Sequence, residues 1–437
     1  LPDVTHTIPT PVSVRRVVTL WWPLAGSWLL MGVEMPMLTA AMTRMPGGEP
    51  HLAAIGTLVY PLSILIEAPI IMLLAASTAL VKDLATHARL LRFAHLASIM
   101  LTALHAWVAF TPLFDWIVLD VIGAPPVTLE PGRIGMQLMT PWTWAIGYRR
   151  FQQGVLIRCG RSDLVGAGTI IRLVANLLVL ITGIYVGEWS GIVVASCAIS
   201  CGVLAEALWA RLCFQRAARP LLPSAPTGSV ISWPAFCSFY APLAFTPIIT
   251  ILIQPLGSWA MSKMSSPLQS LAAWTPVYGI VFLSRSAGFA FNEVVVALAG
   301  EVGGRPALRR CGIGIAAVTT AALTLLALTP LGAMWFSKVS GLSPKLTSLS
   351  CAALPLAILM PGYAVAQNYL QGLLVHHKCT RPITEAVVLY LGVCALCLST
   401  GMLWLTDMQG IQLTLISFNV AGFAQTWWLW RGLRLST

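Results

Sequence analysis

Charged side chains are scarce in this chain: 9% of its 437 residues are Asp, Glu, Lys or Arg, against 57% hydrophobic. A soluble domain carries about 25% charge and about 45–50% apolar residues, so a water-soluble enzyme is excluded. The short alternating segments of a transmembrane β-barrel are absent too, because the apolar runs extend over roughly 20 residues or more. Zinc-type pairs of CxxC motifs are lacking. The 10 cysteines are scattered, and the single CxxC, Cys394 to Cys397, lies within an apolar run where buried free thiols are expected. His376 and His377 have no accompanying ligand cluster, so no metal is expected. There is no HExxH, no P-loop and no Ser/His/Asp cluster in polar loops, which argues against an enzyme or a bound cofactor.

What is present is a series of apolar runs, and they predict an all-α polytopic membrane protein with about 12 spans. The expected spans are 17–42, 52–80, 91–112, 134–157, 164–187, 190–212, 232–256, 268–292, 310–332, 348–374, 382–405 and 410–430. Leu113 to Pro131 reads as a loop with a short interfacial piece. The first apolar segment is too long for a cleavable leader, and none is expected. Most of the tryptophans at Trp21, Trp22, Trp142, Trp144, Trp427, Trp428 and Trp430 are expected in interfacial belts.

The formal net charge is +11, which in a soluble protein would suggest nucleic acid; here it is read as topogenic and no nucleic-acid partner is expected. Of the 26 Lys and Arg, four lie inside spans and five (Arg44, Arg133, Lys263, Lys338 and Lys345) fall on one side of the membrane. The other seventeen fall on the opposite side, which makes that side cytoplasmic and places both termini there.

The two halves of the sequence align at an offset of 218–219 positions. Pro23-Leu24-Ala25 matches Pro242-Leu243-Ala244, Leu52-Ala53-Ala54 matches Leu271-Ala272-Ala273, Val59-Tyr60 matches Val277-Tyr278, and Gln153-Gly154 matches Gln371-Gly372. An even number of spans per repeat keeps both in one orientation, so they are related by a pseudo-two-fold along the membrane normal, as in many transporters. The expected division is a six-helix lobe over 1–212, a cytoplasmic linker over 213–230 and a second six-helix lobe over 231–437.

Ionisable residues inside spans are costly and face the interior or a wet cavity. Arg149, Arg150, Arg172 and Arg285 fall in one layer, roughly 10–12 Å below the inner surface at 1.5 Å per helical residue. Guanidinium stays charged and offers a planar fork to carboxylate or phosphate, so these four predict a site for a small anionic substrate. Arg172 could instead form a structural pair with Glu206. Gln153 and the amides Gln367, Asn368 and Gln371 of the tenth span are further substrate-binding candidates; their alternative is interhelical hydrogen bonding. Glu34 and Glu67 are candidate ion-coupling residues for a proton or sodium ion, and the repeat offset suggests a Glu67–Arg285 pair between the lobes. His105 reads as a satisfied core residue.

The pattern resembles the multidrug/oligosaccharidyl-lipid/polysaccharide (MOP) exporter superfamily, which includes the MATE exporters. Within it the first half is most similar to the progressive ankylosis (ANK) transporters. The similarity is carried by Pro23-Leu24, Gly32-Val33-Glu34, Leu52-Ala53-Ala54-Ile55-Gly56, Tyr60-Pro61-Leu62, Gly154-Val155-Leu156-Ile157-Arg158 and Leu164-Val165-Gly166. The resemblance implies a V-shaped pair of six-helix bundles working by alternating access in a membrane, expected to be a bacterial inner membrane, as a monomer. ANK members are linked to export of organic anions such as citrate, nucleotides and pyrophosphate, whereas MATE members exchange protons or sodium for organic cations. The arginine layer favours the anion side. A secondary exporter of a small organic anion or phosphate-containing metabolite is therefore expected. The alternatives are a lipid-linked precursor flippase, a MATE-type cation antiporter and a membrane scaffold.

Overall fold

The computed structural model describes residues 11–225 and 233–436. Residues 226–232, the last five of the expected linker and the first two of the expected second lobe, lie outside the described residues, as do 1–10 and 437. No strand occurs among the described residues, only an isolated bridge between Ser265 and Gln409. The described residues run as twelve long helical rods, and each expected span overlaps one of them. They are α1 Val14–Met42, α2 Gly48–Leu80, α3 Leu84–Phe110, α4 Leu129–Arg158, α5 Ser162–Val186 and α6 Gly191–Leu221. The second six are α7 Trp233–Lys263, α8 Pro267–Leu298, α9 Gly304–Leu328, α10 Pro344–His376, α11 Arg381–Trp404 and α12 Gly410–Ser436.

Ten of these rods are long and apolar enough to cross a membrane. The two others, α4 and α12, are diluted by polar residues, and the packing explains how each is tolerated. In α4, Met136, Met139, Phe151 and Val155 are at most 1% exposed, so the helix is enclosed by α2, α3 and α6 rather than by lipid. In α12, the Asn419 amide donates to Leu356 O of α10 at 2.7 Å. Trp142 is a correction to the expected interfacial belt: it is buried, because it lies on this enclosed helix. Trp144 is half-buried and stacks on His95 and Tyr148. Trp22, Trp427 and Trp430 are exposed.

The segment after α3 forms a short helix, Leu113–Asp115, and a π-helical turn, Trp116–Ile122, closed by Gly123 at φ 71°. Its counterpart after α9 is Pro330–Met334 and Trp335–Val339, followed by Gly341 at φ 66°. The two repeats thus share local structure even in their connections. Prolines sit inside α1 (Pro23, Pro36), α2 (Pro69), α4 (Pro141) and α8 (Pro276), where each removes a backbone donor and permits a kink. His105 is satisfied within the first bundle, with one ring nitrogen 2.8 Å from Thr143 Oγ1 and the other 3.0 Å from Met136 O.

The repeat-matched glycines Gly154 and Gly372 mark close helix approaches in the two halves. A Cβ on Gly154 would collide with Ser77 and the Leu74 carbonyl of α2. One on Gly372 would lie 2.7 Å from Val295 Cβ and 3.0 Å from the Asn292 carbonyl of α8. Small residues at such points let membrane helices pack backbone to backbone. Gly372→Val is therefore expected to destabilise the protein by about 1–3 kcal/mol through overpacking. Gly392→Ala, where a Cβ would meet nothing within 4 Å, is expected to leave the melting temperature of the detergent-purified protein unchanged or slightly raised.

The halves meet chiefly through α1, α2, α7 and α8. A Cβ on Gly32 of α1 would lie 2.9 Å from Ser286 Oγ of α8. Ser258 Oγ donates to Thr57 O at 2.8 Å and Thr275 Oγ1 to Leu52 O at 2.9 Å. At the opposite end of α1, the end where α6 finishes, Trp21 Nε1 donates to Ala287 O at 2.9 Å, and Arg16 bridges to Glu301 at 2.6 Å.

Candidate functional site

Four helices of the first bundle bring their intramembrane charges to one point. Glu206 of α6, 1% exposed, accepts an ion-paired hydrogen bond from Arg149 of α4 on Oε2. Its Oε1 accepts from Gln153 Nε2 at 2.9 Å. Gln153 lies four residues beyond Arg149 on α4, so helix geometry sets both donors on one face. Arg172 of α5 lies between two acids, with Nη2 3.2 Å from Glu34 Oε2 of α1 and Nε 3.9 Å from Glu206 Oε2. Asn176, one turn beyond Arg172, donates to Glu34 Oε1 at 2.6 Å. Two guanidinium groups and two carboxylates therefore form one buried, formally neutral network tying α1, α4, α5 and α6.

This arrangement changes the reading of the arginine layer. Arg149 and Arg172, expected as anion ligands, are each matched by an acid, because α1 and α6 present Glu34 and Glu206 to them at the same depth. Glu67 of α2 does not contact Arg285 among the described residues. It lies within the bundle, 4% exposed, in the field of Arg149 and Arg150, and its Oε2 has no hydrogen-bond partner among the described residues. Glu67 thus faces the arginines of its own half, since α2 packs on α4.

Arg285 of α8 has a different environment. No carboxylate pairs with it among the described residues, and its buried Nε has no hydrogen-bond partner there. Its guanidinium sits 5.6 Å from the Phe289 ring centroid, and its electrostatic neighbours are Tyr278, Tyr363 and Tyr390 from α8, α10 and α11. Tyr278 accepts a hydrogen bond from Gln254 Nε2 of α7 at 2.7 Å. Three phenol groups and one cation make a donor-rich surround in which no carboxylate pairs with the cation among the described residues. Arg150, next to the neutral network, also has a buried Nε without a partner among the described residues, as do Arg149 and Arg172, so what sets Arg285 and Arg150 apart is that neither has an ion-paired carboxylate there. A buried donor without an acceptor costs about 1–3 kcal/mol, so such groups call for an explanation.

The repeat-matched tyrosines connect the two systems. Tyr60 of α2 lies in the field of Glu34, Arg172 and Glu67, and also of Tyr278 in the second half. Between the halves the charge pattern is inverted: Glu67 corresponds to Arg285, and Arg149-Arg150 correspond to Gln367-Asn368. Of the second-half amides, Gln367 Nε2 donates to Gly422 O at 3.0 Å and Thr426 Oγ1 at 3.2 Å, which commits it to α12. Asn368 Nδ2 donates to Ala364 O of its own helix at 2.8 Å. Gln371 is half-buried. Asn176, Tyr363 and Tyr390 join the candidate residues from the structure. Asn176 carries a sequence signal, one turn from Arg172, whereas the tyrosines on α10 and α11 carry none.

No family model matches the chain, and no curated protein matches it. Solved structures do. Over 97% of this chain and 99% of the other, it is similar to an inward-facing multidrug resistance MATE family transporter of the MOP superfamily, with TM-score 0.70 and 14% identity. It is also similar to a MOP superfamily transporter from Pyrococcus furiosus Vc1 (DSM3638), described as having a binding pocket of reversed polarity that suggests a different function. There the TM-score is 0.67 at 14% identity over 97% of both chains. A mutant of the Vibrio cholerae MATE transporter VcmN matches with TM-score 0.67 and 17% identity, over 97% of this chain and 96% of the other. The chain has the fold of these transporters, two six-helix bundles spanning a membrane.

Proposed function

We propose that this integral membrane protein is a secondary active transporter that exports a small organic anion or phosphate-containing metabolite by alternating access. The carrying observation is Arg285: a buried cation inside the membrane whose electrostatic neighbours are tyrosines and with which no carboxylate pairs among the described residues. A cation held in that way favours a ligand that brings the negative charge, and the guanidinium fork suits carboxylate or phosphate. Arg150, which has no ion-pair partner among the described residues, is the second anion-binding residue. Arg149, Arg172 and Gln153 belong to the neutral network and act on the substrate through it.

The similar transporter with a binding pocket of reversed polarity supports a departure from cation efflux within this fold. So does the neutralisation of Glu34 and Glu206 by arginines, which leaves neither acid free to hold a cationic drug. The ANK-like motifs of the first half point the same way. Transport by reconstituted protein decides the matter. Citrate, nucleotide or pyrophosphate is expected to be exchanged and cationic dyes are not; dye transport without anion transport would reverse the assignment.

Glu34 is the proposed coupling residue. Its carboxylate is shared by Arg172 and Asn176, so protonation or ion binding there releases Arg172 and reorganises the contacts of α1, which also packs on α8. Glu34→Gln is expected to keep downhill anion exchange while abolishing acceleration by a proton or sodium gradient, measured in vesicles with and without the gradient. An unaltered gradient response would remove Glu34 from coupling.

A further inference from the structure

A pocket on the first bundle is lined by none of the charge-network residues. It is a slot of about 670 Å³ between α3, α4 and α6, at the end where α6 runs into the linker. Its lining residues recur at helical spacing on all three walls, so three continuous helix faces form it. At its outer end stand Arg211 and Arg219, two turns apart on α6, both exposed. Arg211 acts electrostatically on Tyr148 and Arg219 on His87, so both guanidinium groups reach the slot, whose lining carries no carboxylate. Neither arginine has an ion-pair partner among the described residues.

Deeper along the same walls the chemistry changes. Trp144 and Tyr148 stack on His95, with the Trp144 and Tyr148 ring centroids 5.3 Å apart, and form an aromatic wall. Leu204 and Leu208 of α6 line the slot and are 37% and 58% exposed. In a membrane-spanning bundle, exposed leucines of this kind face acyl chains, so the slot opens sideways into lipid. From Arg219 to Leu204 is about 22 Å of helix at 1.5 Å per residue, which exceeds the roughly 15 Å of one hydrocarbon leaflet by about a head group. Cations at the interface end, polar side chains such as His87 and Gln152 on the walls and an apolar inner end at Leu204, Leu208 and Trp144 match an amphiphile with a polar head region rather than a small soluble anion.

We infer that this slot binds one anionic phospholipid, with its phosphate between Arg211 and Arg219 and an acyl chain along Leu204, Leu208 and Trp144. The site is independent of what the protein transports, and no step of the transport proposal uses it. Native mass spectrometry of detergent-purified, delipidated protein tests it with phosphatidylglycerol, phosphatidylcholine and glycerol phosphate. At least tenfold greater retention of phosphatidylglycerol than of phosphatidylcholine is expected. R211Q/R219Q should reduce that preference to near unity, and L204W, which fills the apolar inner end seven residues from Arg211, should reduce retention of phosphatidylglycerol. Equal retention of both lipids by the unmutated protein, or a preference that survives R211Q/R219Q, would overturn the inference. So would displacement of the lipid by glycerol phosphate, which would mark a site for soluble phosphate. Because the first comparison uses the unmutated protein, an unstable variant does not leave the question open. A rise in melting temperature with phosphatidylglycerol, and none with glycerol phosphate, is the expected companion result.

Discussion

Arg285→Ala is expected to abolish measurable anion transport while the protein still folds. The side chain has no acid to leave behind, so its removal creates no unpaired buried charge. What is lost structurally is the contact with Phe289 and the field it exerts on three tyrosines. A cation–π contact of this kind is worth about 0.5–2 kcal/mol, so the melting temperature of the purified variant should move little. Anion binding should suffer far more, since truncating one partner of a desolvated, hydrogen-bonded charge pair costs about 2–5 kcal/mol, or about 30-fold to a few thousand-fold in affinity. Arg285→Lys keeps the charge and loses the fork, so it should retain weak binding. Calorimetric titration and exchange assays in proteoliposomes read both effects. Unchanged anion affinity in Arg285→Ala would take this residue out of the site.

The opposite separation is expected at Glu206. Its carboxylate is shared by Arg149, Gln153 and Arg172, all inside the bundle. Glu206→Leu leaves Arg149 unmatched and Arg172 with Glu34 alone. Breaking a buried pair by removing one partner costs about 3–5 kcal/mol, whereas replacing both by apolar residues is often neutral. The single variant should therefore lose on the order of 10 °C in melting temperature. Combining it with Arg149→Met should recover much of that loss. A single variant as stable as the parent would mean that the network holds nothing together. Failure of the second substitution to rescue would instead place the cost in packing around α6.

The course of the chain was legible because its signals are local. Each membrane rod is a run of apolar residues, and even α4, whose arginines dilute it, stands out between the loops that bound it. The repeat could be read for the same reason, since Gln153-Gly154 and Gln371-Gly372 keep the same helix approach in both halves. The depth of the arginines was likewise available by counting residues. Glu206 was legible only as a partner of Arg172; that it also takes Arg149 and Gln153 of α4 was not, because an expected span ending at residue 212 puts it near the helix end, whereas α6 continues to Leu221. Asn176 has a signal, its one-turn spacing from Arg172, yet nothing in the sequence shows that Glu34 comes to meet it.

Composition, periodicity and the duplicated motifs by themselves determined a membrane-spanning, two-bundle helical protein with cations inside it. Only the tertiary structure decided which of those cations already have partners. Each residue turns a helix by about 100°, so depth can be counted along one chain segment, but the direction a side chain faces depends on how neighbouring helices rotate and cross. Those rotations bring Glu34 and Glu206 to Arg149 and Arg172, and they surround Arg285 with phenols. In a medium without water to screen them, that difference of neighbours separates a structural ion pair from a cation able to receive an anion.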